Sequence, residues 1–188
     1  MRTISELRED SKKALEPQKW EAILATIIVF GVISALATVG VGFIIAGPLM
    51  VGLIYYLSAI RKGDKPVFNT LLDGFKEPLT SSIVTYILQS IFIVLWSFLL
   101  IIPGIIKAFS YSMSLYIVAD QPNISANDAI TQSRKMMDGH KMELFMLYFS
   151  FIGWYLLGII TFGLAIIYIM PFVRAAELEF YLELKNHQ

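Results

Sequence analysis

Three stretches of this chain, residues 22–60, 78–106 and 144–173, contain no charged side chain. A helix needs about 20 apolar residues to cross the hydrocarbon of a bilayer, and each stretch is longer than that. The first is long enough for two crossings. A chain with such runs cannot bury them all against itself in water, so an integral membrane protein is expected. Composition agrees: 56% of residues are hydrophobic and 16% charged, against about 45–50% and about 25% in soluble domains. The first apolar run starts late and is too long for the core of a cleavable signal, so none is expected. Net charge is zero and there is no cysteine. The first gives no general pull toward nucleic acid, and the second excludes disulfides and thiolate chemistry.

The charged residues fall in short segments between the runs, and these segments resemble one another. Leu15-Glu16-Pro17-Gln18-Lys19, Leu72-Asp73-Gly74-Phe75-Lys76 and Met137-Asp138-Gly139-His140-Lys141 each read apolar, acidic, helix breaker, variable, lysine. Deep in the run that follows each lies a proline, Pro48, Pro103 or Pro171, and after the proline come aromatics. The pattern points to an all-α, polytopic transmembrane helical bundle forming a single membrane domain over 1–188. It has three candidate repeats, 1–62, 63–122 and 123–188, each an amphipathic helix followed by a hydrophobic hairpin. Breakers and lysines also punctuate membrane proteins that have no repeat.

The polar segments carry their own signals. Thr3 and Glu6 have capping-box spacing. Ile4, Leu7, Ser11, Ala14 and Leu15 share a face, and Pro17 is expected to stop that helix. Asp64 and Pro66 can open a second helix with a stripe of Val67, Phe68, Leu71, Leu72 and Phe75. Ser125 and Asp128 can open a third, with Ala126, Ala129, Ile130 and Met137 on its apolar side. Such helices can lie in the membrane interface or pack together as a small cap, and the sequence does not separate the two.

Lysine and arginine cluster before the first run, between the first and second, and before the third. The positive-inside rule places all three clusters in the cytoplasm. Each run then crosses an even number of times: six spans, both termini cytoplasmic, with outer turns near Gly40-Val41-Gly42, Pro103-Gly104 and Thr161-Phe162-Gly163. The alternative is four spans with re-entrant segments.

Longer strings resemble a known family. They are Leu95-Trp96-Ser97-Phe98-Leu99-Leu100-Ile101-Ile102-Pro103-Gly104-Ile105-Ile106-Lys107 with Ser110-Tyr111-Ser112-Met113; Ala129-Ile130 with Ser133-Arg134-Lys135-Met136-Met137-Asp138-Gly139-His140-Lys141; and Ser150-Phe151-Ile152-Gly153-Trp154 with Thr161-Phe162-Gly163, Pro171-Phe172 and Phe180-Tyr181. In this order they resemble the bacterial membrane family catalogued as domain of unknown function 975. The resemblance implies a multi-pass protein of the bacterial cytoplasmic (inner) membrane and brings no established activity. More loosely, the chain is similar to membrane domains attached to some glycerophosphodiester phosphodiesterases, a hint of lipids by analogy.

No catalytic set is recognisable: there is no phosphate-binding loop, zincin motif or nucleophile elbow. No cofactor or metal is expected, since Asp138 and His140 lack further ligands. The candidate cytoplasmic motif is Ser133, Asp138, Gly139, His140 and Lys141, which a charged turn beside headgroups explains equally well. The candidate intramembrane polar site is Lys107, Arg174, Glu177 and Glu179, because ionisable groups in membrane segments are costly and are usually paired or functional. One reading gathers them into a site for an anionic group or a proton. The other lets Lys107 snorkel to the outer interface and the later charges mark a helix leaving the bilayer. Trp20, Trp96 and Trp154 are candidate interfacial anchors. Gly31 with Ala35, Gly42 with Ala46, and Gly153 with Gly158 are candidate close-packing positions. A non-enzymatic role is expected: binding lipid or a small amphiphile, or modulating another membrane protein. Membrane lipids, another membrane protein or a second copy are the expected partners, and nucleic acid is not. A small transporter or channel is the alternative, and an intramembrane lipid enzyme ranks last.

Overall fold

The computed structural model describes residues 2–37, 41–99 and 101–187. All regular structure among them is helical: α1 (Ile4–Leu15), α2 (Lys19–Ala37), α3 (Gly42–Arg61), α4 (Leu79–Leu99), α5 (Ile101–Tyr111), α6 (Ser114–Asp120), α7 (Ala126–Met136), α8 (Lys141–Phe149), α9 (Ile152–Ile160) and α10 (Leu164–Asn186), with 3-10 helices at Glu16–Gln18 and Phe68–Phe75. The expected all-α class holds. Five segments are long and apolar enough to cross a membrane: Ile4–Ala37, Gly42–Arg61, Leu79–Phe98, Ile102–Asp120 and Lys141–Ile160. The sixth expected crossing falls on α10, whose 23 residues are long enough but include Arg174, Glu177 and Glu179. Large apolar side chains stay uncovered along the others, among them Leu24 and Ile28 on α2, Ile91 and Leu95 on α4, and Leu156 and Ile159 on α9. So much exposed apolar surface suits a membrane environment.

The polar segments fold partly as expected. At α1 the Thr3 hydroxyl accepts from the Glu6 N–H while the Glu6 carboxylate accepts from the Thr3 N–H, completing the box. Ser125 caps α7 through the Asp128 N–H at 3.2 Å. Leu7, Ser11 and Leu15 are the buried face of α1. α1 ends at Leu15, just before Pro17, as expected. Pro17 converts one turn to 3-10 geometry, and α2 begins at Lys19, because a proline within the first turn of a new helix loses no bond that would otherwise form.

The second amphipathic helix differs most. Asp64 and Pro66 lie in irregular chain, and the helix is 3-10, Phe68–Phe75. Its side chains repeat every three residues, so Phe68, Leu71 and Gly74 line up against α3. Phe68 stacks on Tyr56 with centroids 5.9 Å apart. A Cβ on Gly52 would lie 2.0 Å from the Leu71 carbonyl oxygen, and one on Gly74 would lie 2.0 Å from that of Pro48. Val67 and Leu72, expected on the apolar stripe, are exposed. Close approach elsewhere is at Gly47, where a Cβ would meet the Ser82 carbonyl, and at Gly158 against Ile166. Gly31 and Gly153, expected to pack closely, have nothing near their Cβ positions.

The polar helices pack mainly on the other helices of the bundle rather than on one another as a cap. α1 packs on α10, α3 and α8; Phe68–Phe75 packs on α3, α2 and α4; α7 packs on α6, α4 and α5. Long helices pack in sequence order, α2 on α3, α4 on α5 and α9 on α10, and also across: α4 on α3, α8 on α5 and α2 on α10. α3 contacts both α6 and α10, and Tyr116 of α6 stacks on Tyr181 of α10, centroids 5.7 Å apart. These three helices hold most of the buried core. At each junction between a polar and an apolar helix the acidic residue pairs with the lysine three positions on: Glu16–Lys19 at 3.3 Å, Asp73–Lys76 at 2.9 Å and Asp138–Lys141 at 3.5 Å. The prolines do not match in register: Pro48 lies six residues after Gly42, Pro171 seven after Leu164, and Pro103 two after Ile101.

Of the expected outer turns, Gly40 lies outside the described residues. Pro103 and Gly104, expected at the second, lie within α5 and are helical rather than turned. The third turn forms at Thr161–Gly163, with Phe162 at φ +50° and Gly163 at +92°. The Thr161 hydroxyl donates to the Leu157 carbonyl and accepts from the Ala165 N–H, so one side chain closes α9 and opens α10.

Candidate functional site

The core between α3, α6 and α10 is not filled. A cavity of about 290 Å³ remains. Its apolar wall comes from Phe30 and Ile33 of α2 and from Leu53, Ile54 and Leu57 of α3. The polar part of the wall holds Arg174, Glu177, Tyr116, Tyr148, Tyr86 and Gln89, drawn from α10, α6, α8 and α4, and Leu115 of α6 and Leu178 of α10 also line the cavity.

Glu177 organises that wall. Its Oε2 accepts from the Tyr116 hydroxyl at 2.7 Å and from Arg174 Nη1 at 2.8 Å, and its Oε1 accepts a short bond from the Tyr148 hydroxyl. The Glu177 side chain is 3% exposed and that of Arg174 28%, so the carboxylate is enclosed while the guanidinium borders open space. A buried carboxylate is tolerable only with such partners. Residues three apart share a helix face, which makes the Arg174–Glu177 pair local to α10; the tyrosines come from 61 and 29 residues away. Among the described residues Arg174 makes no other side-chain hydrogen bond, and its guanidinium carbon sits 5.3 Å from the Phe30 ring centroid. Guanidinium carries five N–H donors, so most are uncommitted among the described residues.

The four residues of the expected intramembrane site do not come together. Arg174 and Glu177 do. Glu179 lies two residues further on, about 200° round the helix, and faces the other way. It pairs with Arg61 at the end of α3, through a short contact to Nε and 3.0 Å to Nη2, and with Arg2 at 3.5 Å. Arg2 also bonds Glu183 at 2.6 Å and Asp10 at 2.9 Å. Glu179 therefore clamps the ends of α3 and α10 to the start of the chain. Lys107 joins neither group. Its ammonium lies 4.7 Å from the Trp96 ring centroid, and it borders a separate cavity with Arg134, Lys135, Asp138 and Lys141.

Most of the cytoplasmic motif has a structural use. Ser133 is buried and donates to the Ser110 carbonyl at 2.9 Å. Gly139 takes φ +80° in the turn after α7, where a left-handed glycine commonly ends a helix. His140 stands at the N-cap position of α8 without a side-chain cap bond, and its Nδ1 lies 3.0 Å from Glu143. No cluster of three metal-ligating side chains occurs among the described residues.

Tyr148, Tyr86 and Gln89 went unnoticed in the sequence. Gln89 had a signal, being the one carboxamide in residues 78–106; Tyr148 had none, because a tyrosine in an aromatic-rich segment resembles its neighbours.

No curated protein and no solved structure gives a significant match to the chain, and nothing found carries the looser similarity to domains of glycerophosphodiester phosphodiesterases. Residues 98–188, which hold α10 with its Arg174–Glu177 pair and both tyrosine partners, match the family model described as Protein of unknown function (DUF975).

Proposed function

We propose that this is a six-span membrane protein that binds a small amphiphile in the cavity between α3, α6 and α10. The observation that carries the reading is the mixed lining of that cavity, in which apolar side chains surround an arginine, Arg174, with uncommitted donors. Its volume lies near the lower end of the roughly 300–1,000 Å³ usual for ligand pockets. It suits a headgroup-sized ligand or one short chain with an acceptor or anionic end.

Six spans follow if α10 crosses as well. Its charges support this, since Arg174 and Glu177 pair inside the bundle and Glu179 is neutralised by Arg61 and Arg2 at one end. The basic residues put both termini in the cytoplasm. The cyclic packing favours an internal triplication. Each polar segment lies on the second helix of the preceding unit: Phe68–Phe75 on α3, α7 on α6, and α1 on α10, which closes the ring. Three matching acid–lysine pairs support the same reading.

Native mass spectrometry of the full chain, released from mild detergent, tests the binding role. A co-purifying amphiphile is expected. Ile33→Trp, which fills the apolar wall from a half-buried position, should lower its occupancy at least tenfold. Unchanged occupancy in Ile33→Trp would refute the cavity as the site. Release of a solute trapped in proteoliposomes would favour a transporter or channel instead.

A further inference from the structure

We infer that the pocket between α5, α7 and α8 binds the headgroup phosphate of an anionic phospholipid. This site is separate from the central cavity and does not depend on it. Four cations surround a volume of about 400 Å³: Lys107 from α5, Arg134 and Lys135 from α7, and Lys141 from α8. Asp138 is the only carboxylate bordering it among the described residues, and its side chain is 85% exposed and turned toward Lys141 at 3.5 Å. Neither Arg134 nor Lys135 has an ion-pair partner among the described residues, and Lys107 has only the face of Trp96. The pocket therefore carries a surplus of positive charge that the described protein residues do not neutralise.

The surroundings identify the source of the missing anion. Lys107 follows Ile105 and Ile106, both exposed, and Met142, Phe145 and Met146 of α8 are uncovered on the adjoining surface. A cation set among lipid-facing apolar side chains requires a counter-charge. A free anion would satisfy the lysines and the arginine but leave those side chains without a partner. A phospholipid satisfies both, with its phosphate among the cations and its acyl chains along α5 and α8. A guanidinium can hold a phosphate through two parallel bonds, and basic pockets between membrane helices on the cytoplasmic side suit anionic headgroups.

The full chain is purified in detergent and titrated with phosphatidylglycerol or phosphatidylcholine, with bound lipid counted by native mass spectrometry. Phosphatidylglycerol should bind at least tenfold more tightly. The Arg134→Gln/Lys135→Gln double variant should lose that preference, whereas Lys65→Gln, an exposed lysine outside the pocket, should keep it. Should the double variant fail to fold, Lys107→Gln takes its place and is expected to weaken the preference at least threefold. Millimolar inorganic phosphate or glycerol phosphate should leave lipid binding intact. Equal binding of the two lipids, an unchanged preference in both pocket variants, or full displacement by free phosphate would each overturn the proposal.

Discussion

Removing Glu177 while keeping its partners should be far more damaging than removing the ion pair as a whole. In Glu177→Leu the Arg174 cation loses the one carboxylate it pairs with among the described residues, and the hydroxyls of Tyr116 and Tyr148 lose their acceptor. Breaking a buried pair from one side typically costs about 3–5 kcal/mol. Arg174 is about a quarter exposed toward the cavity, where water can reach it, so the lower end of that range applies, about 3 kcal/mol. The orphaned hydroxyls bring the total to about 4 kcal/mol. The Arg174→Met/Glu177→Leu double variant removes both charges and leaves only the hydroxyls, so it should cost about 1–2 kcal/mol. The interaction energy of the cycle is then at least about 2 kcal/mol, roughly a thirtyfold difference in the unfolding equilibrium. Each single Tyr→Phe change should cost much less, about 0.6–1.7 kcal/mol, as interhelical hydrogen bonds do in membranes. Denaturant titration of the protein in bicelles, followed by tryptophan fluorescence, measures these four variants and the Arg174→Met single that completes the cycle. If the two charge removals simply add, or the double variant is no more stable than Glu177→Leu, then Arg174 and Glu177 are not coupled and the polar wall has been misread.

Other outcomes follow from the packing and the charges. Gly52→Ala places a methyl group 2.0 Å from the Leu71 carbonyl and should destabilise by about 1–3 kcal/mol. Gly31→Ala meets nothing and should be neutral or stabilise by up to about 1 kcal/mol; thermal unfolding separates the two. For topology, cysteines introduced at Lys65 and Lys135 should label only from the cytoplasmic side and one at Phe162 only from outside, and the reverse pattern at either lysine would sink the six-span reading. The Glu6 carboxyl is held below its usual range, first by the Thr3 backbone N–H and then by the Thr3 hydroxyl. Its folded pKa is depressed, so the stabilisation of α1 is complete above the unfolded value and fades as pH falls through the folded one. Amide exchange at the start of α1 should quicken at low pH, and Glu6→Gln should remove that dependence.

The three charge-free runs dictated an all-helical membrane chain, because nothing but helices or closed barrels can satisfy a backbone in hydrocarbon and these runs show no alternation. Capping at Thr3 and Ser125 and the acid–lysine spacing in the three junctions were equally readable, since they depend on residues three positions apart. Arg174 with Glu177 was legible for the same reason. Its tyrosine partners were not, because their registers are set by helices distant in sequence. The 3-10 form of Phe68–Phe75 also escaped the reading. It exists because Gly52 and Gly74 let two backbones meet, a contact that neither segment announces alone. Lys107 shows the limit most clearly. Its position among isoleucines marked it as a charge needing an anion, but the packing of α5 on α7 and α8 sets it beside Arg134 and Lys141 rather than Arg174. Local spacing determines which residues share a helix face, and only the packing of one helix on another decides what that face meets.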